Sequence, residues 1–433
     1  MKTPAASPNL NEEFAQNFFN LLGISLDALN IWPPRYVASI FGKPLGWLPL
    51  HRYSEYSLFN PWRPLRAAKY ILNTGIPCLP LNPPPLTPPF LEALFFRPTL
   101  ILHRPDQDQN YNAFPDETWF FINGIMTNDS VAQLNAAFIS ELFHRPVTII
   151  HNTTQGVLID LAECAFGKVW EKNWKDIEEA AAKAFPPIYT ALKRPDKKKV
   201  VVIAHSQGTI IISGVLAMLK SIVAHPSTTP DLNSQPASPD ELPQASAELE
   251  RPFEGPPEGS PKEASEETPE AAPEAVAPAA PEYVFPYQGD LEPEDFIPLT
   301  LAELAKLEIY CFANCANVTT YYRAPGLSGE ERVPWIENFA NENDIVARLG
   351  MLAPEADVKG IHIDGASYVY PGAYGHMLNE HYLKPIENAQ RLRLKQGGQG
   401  ETPTAPYVQL RPDPRRGILP PRLFTYINGG SPP

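Results

Sequence analysis

Residues 200–223 read VVVIAHSQGTIIISGVLAMLKSIV, and this stretch decides the fold. It opens with Val200–Ala204, a run of β-branched residues that is typical of a buried strand. From Gln207–Val223 apolar residues occur almost all round a helical projection, which predicts a buried helix. Only His205 and Ser206 separate the two elements, so we expect the chain to turn sharply there.

Predicted strands and helices alternate on both sides of this turn. The pattern places strands at 118–122, 147–150, 307–312, 335–340 and 361–363, and helices at 130–143, 157–192, 301–306 and 345–351. Strands that alternate with helices are typical of a parallel sheet covered by helices. The sequence therefore predicts an α/β fold, with a mostly parallel sheet and helices on both faces.

Proline and charge are unevenly distributed along the chain. Of the 433 residues, 51 are proline, and the formal net charge is −14. The segment 226–282 carries 13 acidic and two basic residues together with many prolines and few large apolar side chains. Such a segment buries too little surface to offset the entropy of ordering, so we expect a disordered insertion. It would act as a docking or phosphorylation segment or as a solvated spacer.

The insertion interrupts the alternating pattern without ending it. We therefore expect 96–225 and 283–395 to form one domain. Residues 1–95, rich in proline and aromatic side chains, would form an arm packed on that domain; an amphipathic membrane-surface element or a cap over an acyl pocket is the alternative. Residues 396–433 would form a loosely ordered C-terminal tail.

Composition and cysteine usage exclude several classes of function. No part of the chain is strongly basic, so a nucleic-acid partner is not expected. The cysteines, Cys78, Cys164, Cys311 and Cys315, are too few for a disulfide scaffold, and no second pair completes a zinc site, so we expect buried thiols. Without a signal peptide or an apolar run of about 20 residues, we expect a cytoplasmic protein, with peripheral membrane or protein contacts through the arm or the insertion.

The sequence Ala204-His205-Ser206-Gln207-Gly208 resembles the nucleophile elbow of α/β-hydrolases, with Ala204 in place of the usual first glycine. Small residues two positions either side of the serine let the strand and helix backbones approach each other. The resemblance implies that Ser206 is a nucleophile and that the side chain of His205 points away from it. The alternative is an ordinary strand-to-helix turn in another α/β fold, with Ser206 as a cap.

In the superfamily the nucleophile is followed along the chain by an acid and then by a histidine. Asp344 follows the predicted strand 335–340 and resembles that acid; as an alternative, or in addition, it caps the next helix. Asp357 and Asp364 are weaker rivals. All three candidates lie between Ser206 and the last histidines of the chain.

His376 is the expected base. It lies in the sequence PGAYGHML, where Gly372 and Gly375 permit a tight loop, and it resembles the Gly-His loop of the superfamily. His362 alternates with isoleucines on a predicted strand, which indicates a structural role. His381 lies five residues further on, in the helix that follows, and is expected to face elsewhere.

Acyl transfer also needs donors for the oxyanion. The backbone N–H of Gln207 is one expected donor. The second is expected in Asn123-Gly124-Ile125-Met126, which resembles the His-Gly loop of lipases and esterases, with Asn123 in place of histidine. Gly124 lets this backbone turn, which makes the Ile125 N–H the expected donor and Met126 its substitute. An ordinary Asn-Gly turn is the alternative.

The resemblance implies a lipase- or esterase-like serine hydrolase that cleaves a carboxylic ester, a small molecule or a lipid, through an acyl-enzyme on Ser206. An apolar acyl group is expected, and no cofactor or metal is needed. A thioesterase or transacylase would use the same residues. A binding or scaffold protein could instead retain the fold without activity.

Overall fold

The structure, a computed structural model, describes a little under half of the chain. The described residues are 51–56, 88, 100–102, 111, 113–124, 127, 129–152, 175–224, 296–322, 332–354, 356, 360–395, 406–410 and 420–432. The predicted insertion, most of the N-terminal arm and the first part of the predicted 157–192 helix lie outside them.

Most of the described strands belong to one mixed sheet with the order β1-β3-β2-β4-β5-β7-β9-β10. The six central strands run parallel, and β1 and β10 pair antiparallel at the two edges. β6 and β8 pair in a separate small sheet. The strands are β1 (Leu100–Leu102), β2 (Glu117–Ile122), β3 (Thr148–His151), β4 (Lys199–His205), β5 (Leu307–Phe312), β6 (Val318–Thr319), β7 (Trp335–Asn341), β8 (His362–Ile363), β9 (Ala366–Tyr370) and β10 (Val408–Gln409).

Helices flank both faces of this sheet. On one face α1 packs with a π-helix, Leu378–Leu383, and with a 3₁₀ helix, Arg422–Gly429, over buried strand residues such as Phe121 and Phe339. On the other face α2 and α3 pack on each other and on β4. The described α-helices are α1 (Asp129–Phe143), α2 (Lys175–Lys193), α3 (Gly208–Ser221), α4 (Leu301–Leu304) and α5 (Lys384–Lys395). The predicted α/β class with a mostly parallel sheet is confirmed.

The register of the sheet places the ends of several strands at one edge. Ile122 pairs with Ala204, and His205 pairs with Phe312. Because the carboxyl ends of parallel strands lie at the same edge, the loops that follow β2, β4, β5, β7 and β9 meet there. β4 and β5 flank the segment 226–282 in sequence and pair directly in one compact unit, Met1–Ala224 with Gly289–Pro433.

Two predicted elements differ from those observed near the end of the sheet. The predicted helix 345–351 is only a 3₁₀ turn at Ala347–Leu349. The predicted strand 361–363 is β8 in the small sheet. The last parallel strand of the main sheet is β9, which was not predicted. The chain changes sheets at Gly365, whose φ of 102° favours glycine and which lies against the backbone of Ile336.

The expected loose C-terminal tail is wrong for the part of it that the structure describes. β10 extends the main sheet, and the side chains of Leu423, Phe424, Tyr426 and Ile427 are buried in the core. Arg422 Nη2 donates to Glu308 Oε1 at 3.0 Å, and Tyr426 Oη donates to Glu308 Oε2 at 2.8 Å. Because prolines and arginines surround this short apolar run, its place in the core could not be predicted from the sequence.

The described part of the N-terminal arm packs on the domain. Glu55 is buried and accepts hydrogen bonds from the backbone N–H groups of Asn379 (2.7 Å) and Glu380 (3.0 Å). Burial raises the pKa of Glu55 to about 7, against the opposing effect of these donors. The arm therefore holds the start of the π-helix that follows His376. Among the described helices, none has both the length and the apolar character that a membrane span requires.

The buried C-terminal helix predicts a loss of stability on truncation of one of its side chains. Leu423→Ala is expected to lower the free energy of unfolding by about 2–5 kcal/mol because it removes a fully buried leucine from a packed core. Leu392→Ala is the matched control, since Leu392 is 58% exposed, and should change it by less than about 0.5 kcal/mol. Urea unfolding of both variants measures the difference. Equal midpoints would contradict the placement of this helix.

Candidate active site

The turn between β4 and α3 holds Ser206 in a strained conformation. Its φ is 57°, in the left-handed region that non-glycine residues rarely adopt, and its backbone N–H donates to the carbonyl of Phe312 at 2.9 Å. A Cβ at position 208 would overlap the carbonyl oxygen of Ile122. The predicted sharp turn is therefore present, and Gly208 is required because α3 begins directly against β2.

Asp344 and His376 form a buried hydrogen-bonded pair at the same edge of the sheet. His376 Nδ1 lies 2.7 Å from Asp344 Oδ2. The Asp344 side chain is fully buried, whereas that of His376 is 13% exposed. Asp344 Oδ1 also accepts the N–H of Val346 at 2.9 Å, so the carboxylate orients the histidine and caps the turn after β7 at once.

Tyr382 completes the surroundings of this carboxylate and was not found from the sequence. Its hydroxyl donates to Asp344 Oδ2 at 2.6 Å and accepts the N–H of Asn341 at 3.2 Å. Burial and the negative charge of Asp344 raise the pKa of Tyr382 well above its usual value, which keeps it a donor. In the sequence Tyr382 is one aromatic residue in a helical segment of mixed polarity, which gives no sign of this role.

The protonation of His376 follows from its partner. Burial by itself lowers the pKa of His376, but the charge of Asp344 and the hydrogen bond to it outweigh burial, and the pKa is raised. A carboxylate only accepts, so Nδ1 carries the proton in the neutral ring. Nε2 then presents a lone pair, which is the state that a general base requires.

His376 lies against the residue before Ser206, and no hydrogen bond joins Ser206 Oγ to His376 Nε2. The rings of His376 and His205, the residue before Ser206, have centroids 4.6 Å apart. Ser206 Oγ and His376 Nε2 are both buried, and neither has a hydrogen-bond partner in the part of the chain that the structure describes. Such contacts are often loose in enzymes without substrate. The structure thus pairs the candidate base with its acid and leaves the reactive atoms of base and serine unengaged.

The loop after β2 lies against the serine side chain. A Cβ at position 124 would be 2.5 Å from Ser206 Cβ and 3.1 Å from its Oγ, so only glycine fits there. Gln207 is the N-cap residue of α3, the helix end that favours negative charge. Ile125 and Met126, the expected second donor and its substitute, lie outside the described residues.

A bridge of side-chain amides joins this loop to the serine turn. Asn123 Oδ1 accepts the N–H of Asn152 at 2.8 Å, and Asn123 Nδ2 donates to the carbonyls of Asn152 (2.7 Å) and Gly124 (2.9 Å). Asn152 Nδ2 donates to Gln207 Oε1 at 2.8 Å. Asn123 therefore supports the loop although histidine is usual at this position. The contribution of Asn152 was not predicted, because in sequence it only follows a strand.

The remaining rival residues lie elsewhere or play other parts. His362 is exposed on β8, and Asp364 accepts the N–H of Tyr321 at 2.9 Å in the small sheet. Asp357 lies outside the described residues. Cys311 and Cys315 are free and buried, as expected.

Two further histidines lie against the loop that carries His376. His205, whose side chain was expected to point away from Ser206, contacts His376 through its ring and its Nε2. His381, which was expected to face elsewhere, accepts the backbone N–H of Met377, directly after His376, at its Nδ1. His205 is buried and His381 is half-buried, so both rings lie beside the loop that carries His376.

In comparisons with protein-family models, with curated proteins and with solved structures, no match to this chain was found. Support for a function comes therefore from the geometry of the site. Among the residues that the structure describes, no group of three or more histidine, cysteine, aspartate or glutamate side chains is arranged to hold a metal ion.

The contact of Tyr382 with Asp344 predicts a shift in the titration of His376. Tyr382→Phe removes one of two donors to Asp344 Oδ2, so more of the negative charge acts on the imidazole. We expect the pKa of His376 to rise by up to about one unit, measured by NMR titration. Tyr407→Phe is the control, since Tyr407 Oη is buried and has no hydrogen-bond partner among the described residues. An unchanged or lower pKa in Tyr382→Phe would contradict the assigned contact.

Proposed function

We propose that the protein is a serine hydrolase of the α/β-hydrolase type that cleaves a carboxylic ester with an apolar acyl group. The observation that carries the proposal is the hydrogen-bonded Asp344–His376 pair at the same edge of the sheet as a serine held at a φ of 57°. A carboxylate that orients a neutral histidine near a serine in a strained turn is the arrangement that activates a hydroxyl nucleophile.

The connectivity of the sheet supports this proposal. Ser206 follows β4, Asp344 follows β7, and His376 lies in the loop after β9, so serine, acid and base occur in the chain order of the superfamily. The resemblance of the AHSQG sequence to a nucleophile elbow is supported by the close approach of α3 to β2 at Gly208.

The proposed reaction is acyl transfer in two steps. Ser206 Oγ attacks the ester carbonyl while His376 Nε2 takes the hydroxyl proton, and Asp344 stabilises the imidazolium that forms. The N–H of Gln207, with that of Ile125 as the expected second donor, holds the oxyanion. The intermediate collapses to an acyl-enzyme as His376 returns the proton to the leaving alcohol. Water then attacks by the same route and releases the acid.

The charges around the serine favour an uncharged acyl group. The side chains that hydrogen-bond at the serine turn or to the residues that do so include those of Asn152, Thr209 and Cys315, which are uncharged. Burial lowers the pKa of His205 well below its usual value, so this ring is neutral as well. A carboxylate or ammonium group on the substrate would find no opposite charge among these residues.

A second candidate function is supported by the burial of Ser206. Its side chain has no exposed surface, and its Oγ makes no hydrogen bond to His376 or to another described residue. A protein that kept the fold as a binding scaffold would have the same features. Covalent labelling distinguishes the two candidates, because only the enzyme must admit a reagent to Ser206.

The proposed nucleophile predicts the outcome of labelling with a fluorophosphonate probe. The wild type is expected to be labelled, and Ser206→Ala is expected to abolish labelling because it removes the attacking oxygen. Ser221→Ala, at the exposed end of α3, is the control and should label like the wild type. A wild type that does not react, or a labelled Ser206→Ala variant, would reject the enzyme in favour of the scaffold.

The raised pKa of His376 predicts the pH dependence of ester hydrolysis. Protonated His376 cannot accept the serine proton, and its pKa lies above the ordinary 6.5. We therefore expect kcat/KM to rise with pH through one group whose midpoint is above 6.5, measured with an activated ester of a medium-chain acid. A rate that is constant over about pH 5 to 8 would contradict the role of His376.

A further inference from the structure

One peptide group next to the candidate base is held from both sides. The carbonyl of His376 lies 2.8 Å from His205 Nε2, and the N–H of Met377 donates to His381 Nδ1 at 2.9 Å. These two backbone groups belong to the same peptide bond, which directly follows the α-carbon of His376. One imidazole from the end of β4 and one from the π-helix thus hydrogen-bond to the peptide group next to the α-carbon of His376.

The hydrogen bonds fix the tautomers of His205 and His381. A carbonyl oxygen only accepts, so His205 Nε2 carries a proton. His381 Nδ1 accepts and therefore carries none, which places the proton of the neutral ring on Nε2, 2.8 Å from Tyr56 Oη. Burial lowers the pKa of His205 well below its usual value and that of His381 to about 4. Both rings are therefore neutral near pH 7, and the contact of His381 requires this because a protonated ring could not accept at Nδ1.

The loop is shaped to rest on one of these rings. Gly375 has a φ of 100°, and a Cβ at this position would overlap the ring of His381. Asn341 Nδ2 donates to the carbonyl of Gly375 at 2.8 Å and fixes the loop from the end of β7. Hydrogen bonds thus restrain the backbone both before His376, at Gly375, and after it, at the 376–377 peptide group.

We propose that His205 and His381 are positioning residues that clamp the 376–377 peptide group and thereby hold the His376 imidazole beside Ser206. This inference rests on the proposed function. It accounts for how the base keeps its place although Ser206 Oγ and His376 Nε2 form no hydrogen bond. Apolar side chains would fill the same volume, but they would remove the partners of the carbonyl and the N–H of this half-buried peptide group.

Amide side chains provide a matched test, since each imitates one nitrogen of histidine. The glutamine amide nitrogen reaches the place of Nε2 and can donate, whereas the asparagine oxygen takes the place of Nδ1 and can accept. Glutamine should therefore replace His205, and asparagine should replace His381. The opposite exchanges, His205→Asn and His381→Gln, keep a polar amide but place it at the wrong distance from the peptide group. Leucine at either position removes both groups.

We expect the mismatched and leucine variants to lose about 10²-fold in kcat, with KM little changed, because an error of about 1 Å in the position of the base costs that much. His205→Gln and His381→Asn should stay within about tenfold of the wild type. His362→Leu, at the exposed β8, is the control and should behave like the wild type. Thermal unfolding of each variant identifies those that lose activity by misfolding.

A second measurement does not depend on catalysis. The proton on His376 Nδ1, which is shared with Asp344, should give a far-downfield NMR signal that persists in the matched variants and is lost or displaced in the others. Folded leucine variants with wild-type kcat and an unchanged signal would overturn the clamp while leaving the hydrolase intact. If the wild type never reacts with a fluorophosphonate yet the signal follows the expected pattern, the clamp stands and the proposed function fails.

Discussion

The carboxylate of Asp344 is the constraint on which the rest of the site depends. It is fully buried, and a buried charge is tolerated only when hydrogen bonds replace its lost hydration. The required donors come from three elements: the turn after β7 provides Val346 N–H, the loop after β9 provides His376, and the π-helix provides Tyr382. The position of one carboxylate therefore determines how the last strand of the parallel set connects to the helix that follows it.

The serine turn depends on a different constraint, the close packing of two backbones. Gly208 lets α3 begin against the end of β2, and Gly124 lets the loop after β2 rest on the Ser206 side chain. Amide groups of Asn123 and Asn152 then lock this loop to Gln207. In the proposed clamp the side chain of His205, one residue before Ser206, links the serine turn to the backbone of His376.

Much of this arrangement could be predicted from the sequence, because it depends on residues that are close together along the chain. The buried strand before Ser206 and the small residue at Gly208 are local patterns, and the candidate acid and base, Asp344 and His376, each follow a strand end. Tyr382 and Asn152 could not be predicted, because their roles depend on which loops meet at the sheet edge. The C-terminal helix was not predicted for the same reason, because the burial of Leu423 depends on the sheet that it covers.

The strained and unpartnered groups at this edge favour activity over a binding scaffold. The left-handed conformation of Ser206 costs about 1–3 kcal/mol, and buried polar atoms without a partner, such as Ser206 Oγ and His376 Nε2, cost about as much each. A protein that needed only the fold could recover this free energy by exchanging Ser206 for glycine and both members of the Asp344–His376 pair for apolar residues. The chain instead surrounds His376 with Asp344, His205 and His381. This arrangement is expected if Ser206 Oγ and His376 Nε2 are to contact a substrate.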